Sequence, residues 1–128
     1  VLGGLVGSEM CIRDRNVPHL RNYGTYPRVL ARYVRDDGVL SLEQAIYKMT
    51  ALPASRINLP GRGTLQEGMM ADINIFDFDR VLDNDDWANP HQYATGFSYV
   101  IVNGQAVVDE GIRTAVFPGK VLKRTQNE

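Results

Sequence analysis

A chain of 128 residues that is 44% hydrophobic and 23% charged has the composition of an ordinary globular domain, which excludes disorder and a membrane-embedded class. Its formal net charge of −1 argues against a nucleic-acid-binding stripe, so no nucleic-acid partner is expected. No apolar run approaches a membrane span and "VLGGLVG" lacks the basic start and apolar length of a signal peptide, so no membrane partner is expected and a cytoplasmic location is the default.

The first stretch to be read, "LVGSEMCIRDR" at Leu5 to Arg15, fits neither helix nor strand periodicity. It resembles instead the translation of a transposon-end adapter used in sequencing libraries. Residues 1–15 are therefore expected to be an artefactual, disordered scar. On that reading Cys11, the only cysteine, is neither nucleophile nor ligand, and native coding resumes near Asn16 as the C-terminal part of something longer.

Next comes "PHLRNYGTYP", which packs a histidine, an arginine and two tyrosines into a glycine- and proline-marked loop ahead of a helix. Such loops are where α/β barrels keep functional groups. Arg21 can clamp a carboxylate through its planar fork, with Tyr23 or Tyr26 donating a hydroxyl. The plainer alternative is that Arg21 pairs with a surface acid and His19 caps a turn.

Helices follow. "TYPRVLARYVRDDG" places Pro27 in a first turn, Val29, Leu30, Tyr33 and Val34 on one face, and Gly38 at the left-handed stop. "SLEQAIYKMT" carries a capping box at Ser41 and Gln44, with Leu42, Ala45, Ile46 and Met49 at helical spacing. "PASRINLP" predicts a short helix opened by Pro53 and closed before Pro60.

From Gly61 the texture changes to glycine punctuation and period-two alternation. In "ADINIFDF", Ala71, Ile73 and Ile75 alternate with Asp72 and Asn74, the pattern of a strand buried on one face. In "YVIVNGQAVVDEG", Asn103-Gly104 between two apolar runs is the type I′ hairpin signature. Helices followed by strands predict an α/β layer and then a small β module.

Isolated chemistry is sparse. His19 and His91 stand in no metal-ligand spacing, and no His-x-His or His-Glu-x-x-His pattern occurs. Gly61, Gly63 and Gly68 lack the strand and the Lys-Ser/Thr of a phosphate loop. Asp83, Asp85 and Asp86 lack the glycine and closing glutamate of a calcium loop, which predicts a solvated loop instead.

Two long segments carry a family resemblance. "GTYPRVLARYVRDDGVLSLEQAIYKMTALPASRINLPGRGTLQEGMMADINIFD" and "NPHQYATGFSYVIVNGQAVVDEG" closely resemble the C-terminal part of the N-acyl-D-amino-acid deacylases, within the amidohydrolase superfamily. "GTLQEGMMADINIFD" and "VIVNG" look like the general amidohydrolase tail, whereas "YGTYPRVLARYVR" and "NPHQYATGFSYV" point to the deacylase branch.

The resemblance implies an α/β fold in which residues 16–60 are terminal helices of an incomplete (β/α)8 barrel and residues 61–128 are strands of a small β-sandwich. It implies zinc in the intact parent enzyme, whose ligands and catalytic aspartate belong upstream of His19, and a small-molecule N-acyl-D-amino acid as substrate. The family's His-Pro-Arg motif stands here as His19-Leu20-Arg21, so Arg21 is the expected partner of the substrate α-carboxylate, with His19 beside it as a substrate-binding residue. The fragment alone, short of zinc ligands, is expected to be inactive. Expressed alone it is also expected to leave Val29, Leu30, Ile46 and Met49 exposed as an apolar patch. A rival of another class is a non-catalytic homologue that kept the fold as a binding or assembly module.

Overall fold

The computed structural model describes residues 19–84 and 86–122, which leaves the adapter-like segment, Cys11 and Asp85 outside the described residues. Helix α1 spans Arg21–Arg28 and runs on without a break as a π-helical segment over Val29–Asp36. Two short helices follow, α2 at Leu42–Met49 and α3 at Ala51–Arg56. A four-stranded antiparallel sheet completes the order with β1 at Ile73–Phe76, β2 at Phe97–Val102, β3 at Gln105–Asp109 and β4 at Ile112–Arg113.

The first helix starts earlier than its sequence suggests, and the expected loop over "PHLRNYGTYP" is a helical turn from Arg21 onward. Pro27 is therefore interior to the helix and not in its first turn. A proline has no N–H to give to the carbonyl four residues back, and its ring crowds that carbonyl. Two residues later the ladder widens, and at its end Asp37 N–H bonds the carbonyl of Arg32, five residues back, at 2.7 Å. The buried face consequently differs from the expected one: Leu30, Ala31 and Val34 are buried while Tyr33 is exposed. Gly38 stops the segment as expected, with a positive φ of 61°.

Helix α2 opens on the expected capping box, Ser41 Oγ accepting from Gln44 N and Gln44 Oε1 accepting from Ser41 N, each at 3.3 Å. Helix α3 begins at Ala51, so that Pro53 falls in a first turn where the missing N–H has no helical partner to lose. Of the four residues expected to be exposed on these helices, Leu30 is buried and Val29, Ile46 and Met49 are half-buried. Leu30, Ile46 and Met49 line an 820 Å³ groove together with Ile73, Phe76 and Phe97 of the sheet. The apolar faces of helix and sheet thus look onto a shared open groove.

The hairpin forms as written. Asn103 and Gly104 both take positive φ, 49° and 79°, and Val102 faces Gln105 across the two-residue turn. Strand β1 departs from simple alternation. A register shift between Ile75 and Phe76 turns the phenylalanine toward the groove and leaves Ile75 49% exposed.

Two arginines fasten the layers. Arg35, from the π segment, donates through Nη1 to the carbonyls of Phe78, Asp79 and Val81 at 3.1, 3.2 and 2.8 Å, holding the turn after β1 against the helix. Arg62 binds Asp72 and the side-chain oxygen of Asn103, while Asp72 Oδ1 accepts the Asn103 backbone N–H at 2.8 Å. Asn103 in turn donates to the carbonyl of Pro118 at 2.7 Å. Partial burial raises the Asp72 carboxyl, but the Asn103 N–H and the Arg62 guanidinium outweigh it and hold the group below its usual range.

Candidate functional site

The N-terminal turn of α1 carries the residues picked out in the sequence. His19 precedes the helix, and its Nδ1 accepts the backbone N–H of Arg21 at 3.1 Å, satisfying one of the orphan donors of the first turn. The plainer expectation for His19, a cap, is what the structure shows. Arg21 is exposed at the same turn, and Thr25 Oγ1 returns to its carbonyl at 2.7 Å.

A loop from the sheet layer closes over this turn. Trp87 meets the His19 ring edge-on, centroids 5.1 Å apart at 78°. Tyr23 reaches the same loop further along, its hydroxyl 3.0 Å from Nδ1 of His91 and its ring edge-on to Tyr93 at 5.8 Å. The two histidines therefore sit in separate contacts, one against Trp87 and one against Tyr23. Tyr26 is 63% exposed and lines the larger apolar groove, not the groove beside Arg21.

Asp83, expected in a solvated loop, is instead a partly buried anchor. Its side chain is 12% exposed and lies 3.5 Å from Arg28 Nη1. Gly24 makes room for it: a Cβ at that position would fall 2.9 Å from Asp83 Cβ. Asp86 does behave as a loop residue, accepting the Ala88 N–H at 2.9 Å.

Between the helix turn and the loop lies a groove of about 470 Å³, lined by His19, Arg21 and Tyr23 on one side and Asp83, Trp87 and Pro90 on the other. Its size suits a small molecule. The chemistry on offer is a guanidinium fork, a ring nitrogen, a tyrosine hydroxyl and aromatic surface. That set binds and orients an anion. It contains no cluster suited to a metal: among the described residues no group of three or more His, Cys, Asp or Glu side chains converges. The described residues do not by themselves fit a catalytic metal site, which needs about three protein ligands.

Nothing local in the sequence pairs Tyr23 with His91 or Asp83 with Arg28. The available signal was that "YGTYPRVLARYVR" and "NPHQYATGFSYV" were the two segments pointing to the deacylase branch; Tyr23, His91 and Tyr93 show that those segments pack on each other.

The profile of the amidohydrolase family matches residues 14–108. The chain is 44% identical over 121 residues to D-aminoacylase of Alcaligenes xylosoxydans xylosoxydans, covering 94% of this chain and 25% of that protein. It is 42% identical to N-acyl-D-glutamate deacylase of the same organism, covering 94% of this chain and 24% of that protein. The chain thus spans about a quarter of the length of these relatives.

Among solved structures, a D-aminoacylase variant in complex with copper chloride aligns with a TM-score of 0.80 at 42% identity, over 84% of this chain and 23% of that one. N-acyl-D-glutamate deacylase from Bordetella bronchiseptica, solved with zinc and a phosphonate mimic of the tetrahedral intermediate, aligns with a TM-score of 0.69 at 39% identity, over 77% of this chain and 23% of that one.

Proposed function

The chain belongs to the amidohydrolase family, and on that premise we propose that its protein hydrolyses N-acyl-D-amino acids to a carboxylate and a free D-amino acid in a zinc-dependent reaction. The observation that carries this reading is the identity of 42–44% to two deacylases along 94% of the chain. The groove beside Arg21 agrees with it, since it offers an α-carboxylate a guanidinium at an exposed helix turn.

In this account residues 16–60 complete the metal-dependent hydrolase barrel and residues 61–128 contribute to its β-sandwich. Arg21 takes the substrate carboxylate through two parallel N–H···O bonds, fixing the Cα substituents relative to the acyl group. His19 holds that turn in shape through the Arg21 N–H and lines the approach. The zinc ligands belong to the remainder of the protein, and the 128 residues alone are inactive.

The test is an assay of the uninterrupted protein with N-acetyl-D- and N-acetyl-L-amino acids, with and without a chelator. Release of acetate from the D series alone, abolished by the chelator and restored by zinc, supports the reading. Failure to hydrolyse either series when zinc-loaded favours the non-catalytic homologue.

A further inference from the structure

The sequence contains one Asn-Gly pair, Asn103-Gly104, and the fold uses it as the turn between β2 and β3. The same pair carries a reaction that the turn does not require. Gly104 has no side chain to shield its nitrogen, so once that nitrogen gives its proton to a solvent base it can attack Cγ of Asn103. A new C–N bond closes a five-membered succinimide, the Cγ–Nδ2 bond breaks, and the amide nitrogen takes a proton from water and leaves as ammonia. Water then opens the ring at either carbonyl. One product is aspartate, and the other is isoaspartate, in which the backbone runs through the side chain.

In the fold both reacting groups are engaged elsewhere. The Gly104 N–H, the nucleophile, donates to the carbonyl of Ala71 at 2.9 Å, and a carbonyl oxygen is too weak a base to take that proton. The leaving group, Asn103 Nδ2, donates to the carbonyl of Pro118 at 2.7 Å. The Asn103 N–H donates to Asp72 Oδ1 at 2.8 Å, and Asp72 is paired with Arg62. Ring closure requires the side chain to rotate onto Gly104, which gives up the Pro118 and Ala71 bonds.

One contact pulls the other way. Arg62 donates to Asn103 Oδ1, and a guanidinium there withdraws charge from Cγ and makes it a better electrophile. A more reactive carbon does not help while the nitrogen is held by Ala71, since ring closure depends first on bringing the reacting atoms together. Position outweighs activation here.

We infer that Asn103-Gly104 is a latent deamidation site, held unreactive by the bonds to Ala71, Asp72 and Pro118, and that conversion there loosens the junction of linker, hairpin and C-terminal segment. An aspartate at 103 has no donor for the Pro118 carbonyl and shares Arg62 with Asp72 as a second carboxylate. Isoaspartate inserts an extra backbone atom into a two-residue turn whose register pairs Val102 with Gln105. The chemistry is independent of the deacylase reading, since no part of the groove beside Arg21 takes part in it.

For the test, the uninterrupted protein is incubated in mildly alkaline buffer, folded and in urea. The peptide carrying residue 103 is followed by mass spectrometry for conversion of amide to acid, with isoaspartate resolved by chromatography. Conversion is expected to be about ten-fold or more slower in the folded protein, because the reaction waits on local opening. Asp72→Ala, checked for folding by circular dichroism, should convert about three- to ten-fold faster than the unaltered folded protein, the effect of losing one charge-assisted bond. Amide hydrogen exchange at Gly104 of the unaltered protein should show protection, a readout that needs no variant.

Equal rates in the folded and unfolded protein overturn the hold on this pair. No conversion in urea overturns the site itself. An unchanged rate in folded Asp72→Ala overturns the role of Asp72. Unprotected exchange at Gly104 overturns the hold on the nucleophile, and it decides the matter if Asp72→Ala does not fold.

Discussion

The Tyr23 hydroxyl and Nδ1 of His91 lie 3.0 Å apart, a hydrogen bond that ties the first helix to a loop 68 residues downstream. The Tyr93 ring flanks the same tyrosine edge-on, and the His91 ring also meets it edge-on at 5.9 Å. Tyr23→Phe keeps the ring contacts and loses only the hydrogen bond. The expected cost is about 0.5–1 kcal/mol, in the lower part of the usual range because the bond is exposed. Urea denaturation of Tyr23→Phe, His91→Ala and the double variant checks this: the account requires a positive coupling energy, and strict additivity contradicts it.

The carboxyl of Asp72 sits below its ordinary value of 3.8 in the folded chain because the Asn103 N–H and Arg62 stabilise its charged form more than partial burial opposes it. A group whose folded pKa is depressed lends stability that is fully present above its unfolded pKa and is lost as the pH falls through the folded one. Unfolding free energy should therefore decline as the pH drops below about 4, and Asp72→Asn should flatten part of that decline. At neutral pH the same substitution removes the charge partner of Arg62, whose side chain is only 12% exposed. The expected cost there is about 1–3 kcal/mol. Equilibrium denaturation of both proteins from pH 3 to pH 7 gives the comparison, and parallel pH curves would remove Asp72 from the account.

Arg35 is the densest link between helix and sheet layers, with one guanidinium nitrogen serving three carbonyls. Arg35→Met leaves those carbonyls without their donor and should cost about 2–4 kcal/mol, more than an exposed arginine would. Arg35→Lys keeps the charge but not the planar fork, and should recover only part of the loss. Thermal denaturation ranks the three. A lysine variant as stable as the parent would show that charge alone is needed.

The elements legible in the sequence are those whose determining interactions are local. Ser41 and Gln44 are three residues apart, Asn103 and Gly104 are adjacent, and Gly38 needs only its own backbone freedom; each formed as expected. The failures share a cause in the opposite sense. Helix α1 starts at Arg21, with Pro27 inside it, because its first turn is capped by His19 and covered by the Trp87 loop, neither of which periodicity registers. Asp83 reads as one acid among several until Gly24 and Arg28, distant in sequence, are seen to hold it. Ile75 belongs to an alternating run yet faces outward, because the β1–β2 pairing shifts register beside it. Of the candidate site, the identities of His19 and Arg21 were legible through the His-Leu-Arg match. Their aromatic surroundings depend on residues from the far end of the chain.

The central claim, that Arg21 receives the α-carboxylate of an N-acyl-D-amino acid, is tested most directly by comparing Arg21→Met with the unaltered residue in the uninterrupted protein. Two substrates are used, an N-acetyl-D-amino acid and the corresponding N-acetyl amine that lacks the α-carboxylate. Loss of a charge-assisted hydrogen bond costs about 1.5–3 kcal/mol, which is roughly one to two decades in kcat/KM. The account predicts that loss on the carboxylate-bearing substrate, chiefly as a rise in KM, with the amine substrate nearly unchanged. Equal losses on both substrates would contradict it and make Arg21 a structural residue of the helix turn.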